Sequence, residues 1–184
     1  MVIETFAAVK TLDSLRMNPS HIHEYTAKIV WDGNLGGGTA DYAGYSRAHS
    51  IEMQGKPCLL GSSDVAFRGD ASRHNPEDLL VAALSACHML SYLALCGRSG
   101  VSVVAYEDEA SAVLVCDDKG GGRFSEVTLR PRVTITDASR EDLALRLHET
   151  AHERCFIASS CNAPIKLECE IIVQAPNAET SVLS

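Results

Sequence analysis

The sequence predicts an α+β fold with antiparallel sheets and two main helices. Three observations predict it: short segments that alternate apolar and polar residues, two helical segments with clear start signals, and a strands–helix–strands–helix–strand order. The length of 184 residues and the hydrophobic fraction of 46% fit one domain with its own core. We expect a flexible arm over residues 1–20, one domain over 21–174 and a loose tail over 175–184.

The first strands are expected before the first long helix. His23–Trp31 alternates like a strand, Asn34–Thr39 is a glycine-rich turn, and Asp41–Met53 is predicted to be further strand. A turn follows at residues 55–57. The segment Leu59–His74 is then predicted to be a polar loop.

Two segments carry helix start signals. Asn75 is a good N-cap and Pro76 suits the first helical position, so the first helix is predicted to run from Pro76 to about Cys96. Ser139 is expected to cap a second helix that runs to about Cys155.

The remaining segments are predicted to be strands. Val101–Cys116 contains two alternating stretches, and a glycine turn follows at residues 120–122. Phe124–Thr136 reads as a strand pair broken near Pro131. Ile165–Val173 is expected to close the sheet.

Composition excludes some classes of protein. A net charge of −8, with no run of basic residues, argues against nucleic acid as a partner. The seven cysteines are an odd number and Met1–Met17 lacks a secretory apolar stretch, so we expect a cytoplasmic protein with free thiols. Leu79–Cys96 is apolar over about 18 residues, the lower limit for a membrane span. We expect instead a core helix surrounded by protein on all sides, and no membrane partner.

Cys87 is the most informative residue, because it lies within the first long helix and a second cysteine, Cys155, ends the next one. A buried helical thiol is usually a small apolar residue. Two such thiols with arginines and a carboxylate nearby indicate thiol redox chemistry instead, with Cys87 as the attacking thiolate. Cys155 would then condense with oxidised Cys87 to form a disulfide. Cys161 is the rival for that role, and Cys155 is favoured because the end of a helix fixes its position.

A thiolate at Cys87 needs a positive partner. Cys87 lies twelve residues beyond the helix cap, and the dipole of a helix acts only within about one turn. An arginine is the natural candidate: Arg68 is in the loop before the helix, and Arg47 is on a strand that could pass over it.

Glu77 is the carboxylate that could hold this arginine in place, although an acidic residue in the first turn also simply favours the helix dipole. Ten residues separate Glu77 from Cys87, about 15 Å along a helix. If both serve one site, two copies of the helix must cross antiparallel, which predicts a symmetric homodimer with two interfacial sites.

The histidines offer a metal site as an alternative. His148 and His152 share a helix face at i, i+4, close to Cys155, but no Cys-x-x-Cys pattern accompanies them. We therefore expect no metal and no organic cofactor. The other four cysteines are interpreted as core or loop thiols.

Two segments resemble those of a known family. The run from Asn75-Pro76-Glu77-Asp78 to Ser85-Ala86-Cys87 resembles the signature helix of the OsmC/Ohr family, and Ala151–Asn162 resembles its second cysteine helix. The resemblance covers roughly His23–Val173. His88 stands where the family usually has an aromatic residue, so the chain is similar to a less characterised branch.

The resemblance implies an intertwined α+β dimer and a peroxidase that reduces organic hydroperoxides. It implies Cys87 as the peroxidatic thiol, Cys155 as the resolving thiol and Glu77 as the partner of the arginine. Arg68 matches the family arginine best and Arg47 is the second choice. We expect an organic hydroperoxide as substrate and a small dithiol or reduced redox protein as reductant. The alternatives are a ligand-binding or structural dimer, or a thiol redox sensor.

Overall fold

The computed structural model describes residues 22–174, so the predicted arm over residues 1–20 and the tail over 175–184 lie outside the described residues. The chain divides into two compact units, one ending at Arg73 and the other beginning at His74. The fold is α+β, as the sequence predicts.

Residues 22–73 of the first unit form one antiparallel sheet of three strands, in the order β1 (Lys28–Trp31), β2 (His49–Glu52) and β3 (Leu59–Gly61). The strand predicted over Asp41–Met53 begins only at β2, because residues 41–45 form turns in which the Asp41 carboxylate accepts a hydrogen bond from the Ala43 amide. The predicted polar loop supplies β3 and a short 3₁₀ turn at Val65–Phe67.

The described part of the second unit, residues 74–174, contains three α-helices and six strands. In chain order these are α1 (Pro76–Ser99), β4 (Val103–Asp108), β5 (Ser111–Cys116), β6 (Gly122–Leu129), β7 (Pro131–Ile135), α2 (Glu141–Glu153), α3 (Phe156–Ser159), β8 (Ile165–Leu167) and β9 (Glu170–Val173). The strands form two sheets, ordered β4-β7-β9 and β5-β6-β8. The pairs β4–β7 and β5–β6 are antiparallel, whereas β6–β8 and β7–β9 are parallel.

The parallel pairs arise because the chain crosses over through α2 and α3 before it returns to the sheets. The single closing strand expected over Ile165–Val173 is therefore split into β8 and β9, which join different sheets. At the break, the Glu168 amide donates to the carbonyl of Leu129 at 2.9 Å.

The ends of α1 follow from local signals. Asn75 accepts a hydrogen bond from the Asp78 amide at 2.7 Å, and Asp78 accepts one from the Asn75 amide, so both residues cap the helix reciprocally. The helix ends at Gly100, whose φ of 70° is left-handed. It runs past Cys96, its predicted end, to Ser99.

The predicted cap of α2 is wrong. Ser139 does not cap the helix but lies in a 3₁₀ turn, Ala138–Arg140, where its amide and hydroxyl both donate to the Asp137 carboxylate. The helix begins only at Glu141, and Cys155 lies two residues beyond its last residue, Glu153.

The apolar core of the second unit forms two clusters, and α1 contributes to both. One cluster joins α1 to α2 and to the β4-β7-β9 sheet through Tyr92, Leu95 and Val133. The other joins it to β6 through Leu84 and Val127.

The expectation that α1 is surrounded by protein on all sides is wrong for a single chain. Positions four residues apart, namely Ala82, Ala86, Leu90 and Ala94, are exposed, and Leu90 retains 63% of its accessible surface. The helix is long and apolar enough to cross a membrane, with a mean hydropathy of 1.9, and 28% of that stretch is buried. One face of α1 is therefore apolar and uncovered in the single chain.

Candidate active site

Cys87 lies near the middle of α1 and is half-buried. Its position is fixed from both sides of the helix. Two residues earlier, the Ser85 hydroxyl donates to the Asp108 carboxylate of β4 at 2.5 Å, and that carboxylate also accepts the Arg130 amide at 2.6 Å. One residue later, His88 is buried against α2. The thiol is therefore carried on a firmly packed stretch of helix.

Cys155 lies at the junction between α2 and α3 and is only 1% exposed. Its amide donates to the carbonyl of His152 at 3.2 Å, which ties it to the last turn of α2. Its sulfur accepts a hydrogen bond from the Ala158 amide at 3.4 Å, so Cys155 caps α3. The sequence places Cys155 at the end of one helix, and the structure shows that it also begins the next.

The side chains of Cys87 and Cys155 are neighbours, and the Cys87 thiol acts on the pKa of Cys155. Burial, followed by the neighbouring Cys87 thiol, raises the pKa of Cys155, and the amides of Ala158 and Ile157 partly offset this effect, so that the pKa is about 11. Cys155 is therefore a neutral thiol near pH 7. All the cysteines of the described residues are free thiols.

Cys161, the rival for the second thiol, is half-buried. It packs against the core cluster of Leu84, Val127 and Leu129. Its amide donates to the carbonyl of Ala158 at 3.2 Å, just beyond α3. The thiol for which a contact with Cys87 is found is Cys155.

Glu77 lies in the first turn of α1 and is half-buried, beside the reciprocal cap of Asn75 and Asp78. Glu77 and Cys87 are ten positions apart on continuous α-helix, which places them about 15 Å apart. Within one chain these two side chains cannot share a small site. This distance is the one the sequence predicts.

The two candidate arginines belong to the first unit, where both approach the ring of Tyr42. The Arg47 guanidinium lies 4.5 Å from the Tyr42 ring centroid and 4.1 Å from that of Tyr45. It also donates to the carbonyls of Tyr45 at 2.6 Å and Tyr42 at 2.9 Å. Arg68 lies 6.0 Å from the Tyr42 centroid, at the edge of cation–π contact. Arg47 is therefore held by its own loop, and among the described residues Arg68 forms no ion pair.

The backbone around Arg68 is tightly constrained. Arg68 has a φ of 65°, which is unusual for a residue other than glycine. Its neighbour Gly69 lies so close to Ser63 that a Cβ there would be 1.5 Å from the Ser63 carbonyl oxygen. The Gly69 amide also donates to the carbonyl of Asp64 at 2.9 Å. These contacts fix the loop that presents Arg68.

Sequence reasoning missed the polar contacts that link α1 to α2. The rings of His88 and His148 stack, with 3.0 Å between His88 Nε2 and His148 Nδ1. His148 was considered above as a metal ligand together with His152, but its ring contacts His88 of α1. The sequence does carry a signal for it, since His88 and His148 are each polar residues within the apolar face of a helix.

Comparison with known proteins gives a consistent result. A family model described as OsmC-like protein matches residues 69–170, a range that contains Glu77, Cys87 and Cys155. An OsmC-like protein of unknown function from Vibrio cholerae O1 biovar eltor has a similar structure, with a TM-score of 0.71 and 31% sequence identity. That similarity covers 82% of this chain and 100% of the other.

Two further similarities extend the comparison. The uncharacterized protein YmaD of Bacillus subtilis is 25% identical over 156 residues, which cover 83% of this chain and 95% of YmaD. An organic hydroperoxide resistance protein OsmC from Legionella pneumophila shares the fold, with a TM-score of 0.58 and 18% identity over 83% of this chain and 98% of that one. These similarities place α1 as a helix of an OsmC-like fold, which favours a non-membrane protein.

Proposed function

Because this chain belongs to the OsmC-like protein family, we propose that it is a thiol-dependent peroxidase that reduces organic hydroperoxides. The observation that carries the proposal is the contact between Cys87 and Cys155, a half-buried thiol on a helix and a buried neutral thiol beside it. Structural neighbours of the family are named organic hydroperoxide resistance proteins, which supports the class of substrate.

In the first step, the Cys87 thiolate attacks the distal oxygen of the hydroperoxide. The S–O bond forms as the O–O bond breaks, and the alkoxide takes a proton and leaves as an alcohol. Cys87 is left as a sulfenic acid, having given two electrons to the peroxide. A guanidinium beside the sulfur stabilises both the thiolate and the developing alkoxide.

In the second step, Cys155 attacks the sulfur of the sulfenic acid. A disulfide forms between Cys87 and Cys155, and the hydroxide leaves with the thiol proton as water. Cys155 is protonated near pH 7, and it attacks as its proton passes to the leaving hydroxide. The contact between the two thiols in the reduced protein supports Cys155 over Cys161 for this role.

In the third step, a small dithiol or a reduced redox protein attacks the disulfide and releases both thiols by exchange. Two electrons therefore pass from the dithiol to the hydroperoxide in each cycle. The chemistry of the cycle is carried by the cysteines, and no step requires a metal or an organic cofactor.

Arg68 is our candidate for the guanidinium that acts on Cys87. The Arg47 guanidinium already donates hydrogen bonds to two carbonyls and lies over two tyrosine rings, so moving it would break four contacts. Within the part of the chain that the structure describes, the contact found for the Arg68 guanidinium is the distant one with Tyr42, and its loop is fixed by Gly69. In the proposed site, Glu77 holds Arg68 in position.

The active form is proposed to be a homodimer located in the cytoplasm. The uncovered apolar face of α1, with Leu90 at its centre, supports a second copy as its cover. An antiparallel crossing of two copies would bring Glu77 of one chain towards Cys87 of the other, which a single chain cannot do. Light scattering after gel filtration tests this, and a monomer at assay concentrations would count against the shared site.

Counting thiols tests the peroxidase proposal directly. The fully reduced protein has seven thiols, and one equivalent of cumene hydroperoxide is expected to remove two of them. Cys87→Ser should lose none of its thiols, whereas Cys161→Ser should still lose two. No loss from the parent protein would favour a binding or structural dimer. Loss without repeated turnover in excess dithiothreitol would favour a redox sensor.

A further inference from the structure

Buried polar side chains lie between α1 and α2, where apolar side chains alone could form the core. His88 and His148 are each 1% exposed, and their rings stack with 5.3 Å between centroids. Tyr92, one turn further along α1, stacks on His148 at 3.8 Å and donates its hydroxyl to the Ala144 carbonyl at 3.1 Å. Three aromatic side chains and two polar contacts thus join the two helices.

This arrangement of the two histidines is less stabilising than an apolar pair in the same place would be. His88 Nδ1 and His148 Nε2 are buried without a hydrogen-bond partner among the described residues. An unpaired buried polar atom costs about 1–3 kcal/mol, and an apolar pair of similar shape would avoid that cost. Directional contacts do, however, fix how one helix is placed along another, which apolar side chains do less strictly.

The two helices joined in this way carry the two thiols. His88 follows Cys87 directly on α1, and His148 lies on α2, two turns before Cys155. The carbonyl of His152 holds the Cys155 amide, so Cys155 moves with the end of α2. A slip of α2 by one residue would displace Cys155 by about 1.5 Å, whereas a disulfide requires the sulfur atoms to come to about 2 Å.

We propose that His88, His148 and Tyr92 are positioning residues that set the placement of α2 on α1 and thereby keep Cys155 within reach of Cys87 for disulfide formation. The inference rests on the redox pair of the proposed function, but it concerns disulfide closure and not the reaction with peroxide. It predicts that loss of the polar contacts slows closure without loss of fold stability.

Closure can be measured without any peroxide. Diamide takes two electrons and two protons from a dithiol, and is reduced to the hydrazine as the disulfide forms. The rate of formation of the Cys87–Cys155 disulfide is followed by quenching with an alkylating agent and peptide mapping. If the proposed peroxidase activity fails, this rate can still be read, so the two failures are distinguishable.

The test variants are His88→Leu, His148→Leu and the double variant. We expect closure to slow by about tenfold or more, since misplacement by about 1 Å can cost a hundredfold in rate. The urea midpoint should stay the same or rise in the double variant, because both unpaired atoms are removed. His148→Asn, which keeps a polar group able to bond His88, should restore most of the rate.

Val133→Ala is the matched control, because Val133 is buried in the same cluster on β7 and makes no polar contact. It should lower stability and leave closure unchanged. Closure at the parental rate in folded leucine variants would overturn the inference, as would equal slowing in Val133→Ala. If circular dichroism shows that the leucine variants are unfolded, the test passes to Tyr92→Phe, which removes only the tyrosine hydroxyl that donates to the Ala144 carbonyl. Closure at the parental rate in this variant would overturn the inference, and slowed closure would support it.

Discussion

The buried thiol of Cys155 lies beside the thiol of Cys87, although the two residues are 68 positions apart in the sequence. One belongs to the middle of α1 and the other to the junction of α2 and α3. The proposed catalytic cycle depends on this contact, because it lets a sulfenic acid on one residue meet a thiol on the other.

Replacement of Cys87 tests the attacking thiol. Cys87→Ser should reduce turnover of cumene hydroperoxide by at least about a thousandfold, because the nucleophile is lost and the remaining groups cannot substitute for it. The fold should be unchanged, since Ser and Cys are similar in size and the site is only half-buried. Turnover is measured with dithiothreitol as reductant, and a variant that keeps the parental rate would show that the assignment is wrong.

Replacement of the second thiol separates Cys155 from Cys161. Cys155→Ser should still react once with hydroperoxide and then stall, and mass spectrometry should find sulfinic acid at Cys87 after excess peroxide. Cys161→Ser should cycle like the parent protein. The reverse pattern would assign the resolving role to Cys161.

The arginines are tested with Arg68→Met and Arg47→Met. Arg68→Met should lower the rate of Cys87 oxidation by about a hundredfold, the typical effect of removing a group that stabilises developing negative charge. Arg47→Met should act mainly on stability, because it loses contacts with Tyr42 and Tyr45. Rates are measured by stopped flow and stability by urea unfolding. Loss of rate in Arg47→Met alone would reverse the assignment.

Gly69→Ala provides a further test of the Arg68 loop. A Cβ at Gly69 would lie 1.5 Å from the Ser63 carbonyl oxygen, so the backbone must shift. We expect a loss of about 1–3 kcal/mol in the free energy of unfolding, as for other overpacked sites, together with slower Cys87 oxidation. Gly37→Ala, where a Cβ meets no atom within 4 Å, is the matched control. Similar rates in both variants would show that the loop does not position a catalytic group.

Buried histidines make stability sensitive to acid. Burial, together with the nearby His152, lowers the pKa of His88 to about 4 despite the opposing Asp108, and burial together with His88 lowers the pKa of His148 to about 3. In the unfolded chain these residues bind protons near pH 6.5, whereas in the folded chain they do so only near pH 4 or below. Their contribution to the free energy of unfolding is therefore complete above pH 6.5 and is lost as the pH falls towards 4.

Each histidine should add up to about 1.4 kcal/mol per pH unit to the slope of unfolding free energy between pH 6 and 4.5. Carboxylates with lowered pKa values, among them Asp70 and Glu168, add to the slope in the same direction. The double variant His88→Leu/His148→Leu isolates the histidines, because it keeps these carboxylates. The slope of its unfolding free energy against pH, measured by urea unfolding, should be shallower than that of the parent protein. Equal slopes would contradict the lowered pKa values of the two histidines.

Sequence patterns predicted well those features that depend on near neighbours. The start of α1 follows from Asn75 and Asp78, which bond each other across three residues. The four strands β4, β5, β6 and β7 also follow from local alternation. The cap of α2 failed because Asp137 competes with Ser139 for the same turn. The roles given to Glu77, Arg47 and Arg68 stay predictions, because a sequence motif identifies residues without giving their positions in space.

The sequence by itself determined the α+β class, the start of the first helix and the identity of the Cys87 segment, since periodicity and capping act within a few residues of the chain. Only the tertiary structure decided that β8 and β9 join different sheets, that α1 keeps one apolar face uncovered, and that Cys155 contacts Cys87. The contact between His88 and His148 spans 60 residues. Such contacts depend on how helices and sheets pack in three dimensions, and no local pattern encodes that packing.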